Sequence, residues 1–91
     1  MGYATVMEFD VDLDTHRRIM DATGDDPIAG LIVHAAGPSE AGVRSIDVWE
    51  SKEHSDRFFS DRLMPAIAGL QIAGGPPVRF EELDAPVLLR G

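Results

Sequence analysis

From Tyr3 to Asp10 the chain is rich in β-branched and aromatic residues, and a strand of period two there places Tyr3, Thr5, Met7 and Phe9 on one face. The period then changes. Leu13, His16, Ile19, Met20 and Thr23 recur at helical spacing through THRRIMDAT, with Asp12 or Asp14 able to cap the start and Gly24-Asp25-Asp26-Pro27 ending it. Two more strand-like runs, Gly30 to Gly37 and Val43 to Glu50, are joined by the turn-rich PSEAG and read as an antiparallel hairpin. Ser51 caps a second helix, in which Phe59, Leu63, Ile67 and Leu70 form an apolar stripe with charges opposite. Pro65, whose ring would meet the carbonyl of Asp61, predicts a helix to Met64 and then a fresh turn with Pro65 near its start. After GGPP, the run Val78 to Ala85 reads as a strand limited by Pro86. The order β-α-β-β-α-β predicts a ferredoxin-like α+β fold, a four-stranded antiparallel sheet with both helices on one face, in a single domain over residues 1–91.

Two helices cover one face of such a sheet, so the other must be polar or covered by something else. With Gly37 to Gly42 as the loop, Ala36 lies across from Val43, so Val33 pairs with Ile46 and Leu31 with Val48, and these last four residues share a face. That nearly all-apolar face suits the helices. The opposite face then holds Ile32, His34, Ala36, Val43, Ser45, Asp47 and Trp49, too apolar to leave in water, and a second copy of the chain is its expected cover.

Composition narrows the partners. Sixteen acidic against eight basic side chains give a net charge of -8 that would repel phosphate backbones, so no nucleic acid is expected. No apolar run reaches membrane-spanning length, and a soluble cytoplasmic protein with no membrane partner is expected. The absence of Cys removes disulfides, thiolate metal sites and Cys nucleophiles. No three His or acidic residues stand at metal-ligand spacing, and no P-loop, GxGxxG or GxSxG occurs, so neither a metal nor an organic cofactor is expected.

Val48-Trp49-Glu50-Ser51, followed by an acidic helix start and the pair Phe58-Phe59 on a β-α-β-β-α-β chain of this length, resembles the dimeric α+β barrel superfamily, and within it the antibiotic-biosynthesis-monooxygenase-like (ABM-like) group. The resemblance implies a homodimer whose sheets close into a barrel. It also implies a small apolar or aromatic, polyketide-like substrate and, among the group's activities, cofactor-independent monooxygenation, in which the substrate itself supplies electrons to oxygen. The haem-degrading branch carries a functional Trp nine positions beyond the WES Trp and a His near the end of that helix. Here those places hold Phe58 and Ile67-Ala68-Gly69, which argues against haem degradation.

Of the polar residues, His34 is the best candidate base. In the pairing above it faces Ser45 and has Asp47 on the diagonal, near enough to orient an imidazole. A His held at a subunit interface is the structural alternative. Trp49 and Phe58 are candidate pocket walls, with Tyr3 and Met7 as further lining. For Trp49 the ordinary role is strand-end packing, while Phe59, on the stripe, belongs to the core. Arg62 can meet an anionic substrate or lie on a solvated helix face. His16 and His54 fall at charged, solvated helix positions, and the loop around Gly74 and Gly75 can act as a lid. The residues leave three functions open: a monooxygenase, a non-catalytic ligand-binding or interaction module, and a cofactor-free isomerase or decarboxylase.

Overall fold

A computed structural model describes residues 2–71, 77–85 and 89. The elements follow in the expected order: β1 (Gly2–Phe9), α1 (Leu13–Ala22), β2 (Leu31–Pro38), β3 (Val43–Trp49), α2 (Lys52–Phe58), a π-helical turn (Phe59–Leu63), α3 (Met64–Gly69) and β4 (Arg79–Ala85). The strands form one four-stranded sheet in the order β2-β3-β1-β4, with every neighbouring pair antiparallel. This is the ferredoxin-like α+β arrangement. No helix among the described residues is long and apolar enough to cross a membrane. Gly74, Gly75, Pro86 and most of the apolar tail lie outside the described residues, and with them the lid expected there.

Local chemistry sets the element ends. The Asp12 carboxylate accepts from the Thr15 N–H at 2.7 Å and caps α1, and the Ser51 hydroxyl accepts from the His54 N–H at 3.3 Å and caps α2. Around Pro65 the helix does not break. It widens through a π turn, closed by the Met64 N–H on the Phe59 carbonyl, and α3 continues with Pro65 in its first turn. Proline has no N–H for the Asp61 carbonyl and its ring crowds that oxygen, so one wide turn replaces a stop.

The hairpin partitions side chains between faces much as expected, but the faces are exchanged. Val43, Ser45, Asp47 and Trp49 are buried beneath the helices, while Arg44 and Ile46 are exposed on the far side with Val33 and Ala35. The alternation alone could not say which set the helices cover, because both carry apolar residues. Bulk decides it. Trp49 is 2% exposed and packs with Tyr3 and Phe58, and the flanking Met20, Ile28, Leu31 and Leu63 bring α1 and the second helical layer down on the same face. The polar members of that face are tolerated because His34 and Asp47 pair with each other.

The loop is also tighter than expected. Pro38 pairs with Val43, His34 sits directly across from Asp47, and Ala36 faces Ser45. A bulge between Leu31 and Val33 puts Leu31 opposite Trp49 and so onto the helix side. Beside it Gly30 has φ +79°, and a Cβ there would strike the ring of His54. Only glycine fits the approach of α2 to this strand end.

Candidate functional site

Between the sheet and the helices lies a cavity of about 380 Å³, the size of a site for one small organic molecule. Its walls are mostly apolar. Met7 and Trp49 contribute from the sheet, Ile19 and Met20 from α1, and Phe58, Phe59 and Leu63 from the second helical layer. Trp49 and Phe58 stand with ring centres 5.5 Å apart and planes tilted by 44°. The Trp49 indole Nε1–H, buried at the cavity wall, has no hydrogen-bond partner among the described residues.

The polar groups gather at one side, where His16, His34, Ser45 and Asp47 line the cavity and Asp10 stands at its edge. His34 Nδ1 pairs with Asp47 Oδ1, and His34 Nε2 meets His16 Nε2 at 3.3 Å. The hydrogen bond to Asp47 raises the pKa of His34 above the ordinary imidazole value, its charge adds to the effect, and burial opposes both. His16 is shifted the other way. Burial and the neighbouring His34 charge lower its pKa, with partial relief from Asp47. Among the described residues no group of three or more His, Asp or Glu is placed to hold a metal ion.

The sequence candidates fall into two sets. His34, Asp47, Trp49, Phe58 and Met7 all line the cavity. Phe58 is also a buried core residue, whereas Phe59 is only half-buried. Phe58 joins the stripe residues Phe59, Leu63 and Ile67 at the cavity, because the π turn makes Phe58 and Leu63, five apart, successive members of the buried row.

Tyr3 and Arg62 do not line this cavity. Tyr3 lies in the core beside Trp49 and donates its hydroxyl to Glu82 Oε2 at 2.6 Å. Burial and that acceptor push its phenol well above the usual range. Arg62 reaches back across the fold and donates to the carbonyls of Thr23 (3.0 Å), Asp26 (3.0 Å), Pro27 (3.2 Å) and Gly24 (3.4 Å), with its guanidinium 5.9 Å from the Phe58 ring centre. It ties the loop after α1 to the second helical layer.

His16 lines the cavity, although its charged neighbours suggest a solvated position. Its flanking Arg17 and Arg18 are exposed, but His16 shares the helical stripe of Ile19 and Met20, three and four residues on, and that spacing was the available signal. His54 is also half-buried, with Nδ1 2.7 Å from the Ser51 hydroxyl, so it belongs to the α2 cap.

Neither a family model nor a curated protein matches the chain by sequence. In three dimensions the chain is similar to a crystal structure described as a "putative Antibiotic biosynthesis monooxygenase" from Chloroflexus aurantiacus J-10-fl. The two superpose with a TM-score of 0.73 over 100% of this chain and 98% of that one, at 16% identity. At that identity the likeness is one of fold, and it is the ABM-like fold that the VWES stretch resembles.

Proposed function

We propose that this chain is a cytoplasmic, single-domain protein that pairs with a second copy of itself and binds a small, mostly apolar aromatic molecule between sheet and helices. We further propose that it acts on that molecule as a cofactor-independent monooxygenase. The observation that carries this reading is the pairing of Asp47 with His34 inside an apolar cavity of about 380 Å³. Such a pair stores a proton taken from a ligand, because the carboxylate stabilises the imidazolium that forms. The apolar walls raise the energy of a charged ligand unless its charge lies at that pair, which selects a flat molecule with one acidic group at one end. The unpartnered Trp49 Nε1–H is a donor for a ligand oxygen.

Once deprotonated, an electron-rich ring can itself reduce dioxygen. At an activated ring methylene, two hydrogens leave, one oxygen atom becomes the carbonyl, and the second leaves as water with those two hydrogens. The protein's part is to bind, exclude water and hold the proton. That the structurally similar protein is described as an antibiotic biosynthesis monooxygenase favours this activity over the other two.

Oxygen uptake with hydroquinones and hydroxylated anthrones, with no added metal or flavin, tests the reading. Substrate-dependent uptake that is lost in His34→Gln is expected. Conversion that continues without oxygen would instead make the protein an isomerase or decarboxylase, and saturable binding without conversion would make it a non-catalytic binder.

A further inference from the structure

Three side chains from three elements form a chain of hydrogen bonds under the helices: Asp47 on β3, His34 on β2 and His16 on α1. A carboxylate only accepts, so His34 Nδ1 carries a hydrogen and donates it to Asp47. A neutral imidazole has one N–H, which makes His34 Nε2 an acceptor. His16 Nε2, 3.3 Å away, must therefore be the donor.

The ring geometry agrees. The ring centres are 5.5 Å apart and the planes differ by 17°. The nitrogen gap falls short of the centre gap by about two ring radii, so both nitrogens lie close to the line joining the centres. Two imidazoles ligating one tetrahedral metal would converge at an angle, whereas an N–H···N hydrogen bond wants them end to end. One ring nitrogen of the chain, His16 Nδ1, has no partner among the described residues.

We propose that His16 Nδ1 is the atom that takes the proton from the bound molecule, while His16 hands its own Nε2 proton to His34. The inference rests on the reading above, that the cavity deprotonates its ligand. In the transfer the acidic O–H or C–H bond of the ligand breaks and a His16 Nδ1–H bond forms. The His16 Nε2–H bond breaks and a His34 Nε2–H bond forms. His16 ends neutral in its other tautomer, His34 ends as an imidazolium held by Asp47, the ligand ends as an anion, and no electron moves to the protein. His16 is then the catalytic residue, and His34 and Asp47 act through it. Burial disfavours the charge on both rings, and the hydrogen bond to Asp47 makes His34 the better resting place for it. Among the described residues the remaining charged group at the cavity is Asp10. The walls from the second helical layer, Phe58, Phe59, Leu63 and Ile67, are uncharged.

The test is a pH titration of the protein with ¹⁵N-labelled histidine, read by long-range ¹H–¹⁵N correlation, which distinguishes the two tautomers. At alkaline pH His34 is expected as the Nδ1–H form and His16 as the Nε2–H form. As the pair gains its first proton, His34 becomes doubly protonated and His16 switches to Nδ1–H without charging. His34 found as the Nε2–H tautomer, or His16 charging first, overturns the proposal whether or not the protein is an enzyme. The ligand step is read with 3-nitrophenol, whose phenolate is yellow and scarce at neutral pH. Wild type is expected to bind it at neutral pH with a several-fold rise in the phenolate fraction, and His16→Ala to lose that rise. The same rise in His16→Ala would assign the proton to His34 directly, which overturns the inference and leaves the proposed function standing. No rise in wild type overturns both.

Discussion

Two imidazoles in hydrogen-bond contact inside an apolar cavity resist carrying two charges, and Asp47 decides which one takes the first proton. The raised His34 and lowered His16 pKa values are two sides of that arrangement. They also fix a pH dependence. A group whose folded pKa is raised contributes stability that is complete below its unfolded value and disappears as pH rises through the folded one. The stability advantage of wild type over His34→Gln is therefore expected to be larger at about pH 5.5 than at about pH 8.5, as measured by urea unfolding. His16 acts in the opposite sense. Its lowered value costs stability as pH falls below the ordinary imidazole range, and because both proteins retain His16 the comparison cancels most of that cost. The sequence brought His34 and Asp47 near each other through the hairpin pattern, but on a diagonal. Their direct pairing depends on a loop two residues tighter than the one drawn from Gly37 to Gly42, a length that alternation alone leaves free.

At the scale of elements, the strands and the first helix were legible because their periods are clean. The second helix was legible in extent and in most of its stripe but not in the burial of Phe58, since a π turn brings residues five apart onto one row and leaves no mark in a pattern counted in fours. Arg62 shows a related limit. Its hydrogen bonds go to backbone carbonyls 35 to 39 residues earlier, which no local pattern encodes. Replacing it by Ala is expected to cost about 1–2 kcal/mol and to speed amide exchange over residues 23–28, with little rescue by Lys, which lacks the planar fork. Gly30 is a second element-scale constraint. Gly30→Ala forces a positive φ on a residue with a Cβ and drives that Cβ into His54, so a loss of about 2 kcal/mol or more is expected in thermal unfolding. Part of that loss should return in the double variant with His54→Gly, because the clash with the His54 side chain, Cβ included, goes and the backbone strain remains.

For the molecule as a whole, exchanging the two sheet faces moves the chemistry and the proposed subunit contact to opposite sides. Asp47, His34 and Trp49 are enclosed with the helices, while Val33 (48% exposed), Ile46 (47%) and Leu83 (63%) are left on the outer face. A second copy covering that face would bury them, so Ile46→Asp is expected to yield monomers in sedimentation while Trp49→Ala weakens the fold itself. That one sheet face lies away from the helices was legible from the sequence, but which face it is was not, because the all-apolar stripe looked like the better core. The central claim is that the enclosed face holds a ligand. Trp49, the single Trp in the chain, lines the cavity and reports on it directly. Its emission, titrated under nitrogen with hydroquinones of increasing ring size, is expected to change saturably in wild type. The same titration of Ser45→Phe, in which the new ring fills the cavity, should leave the emission flat. No saturable change with any of them, or an equal change in the filled variant, would contradict the account.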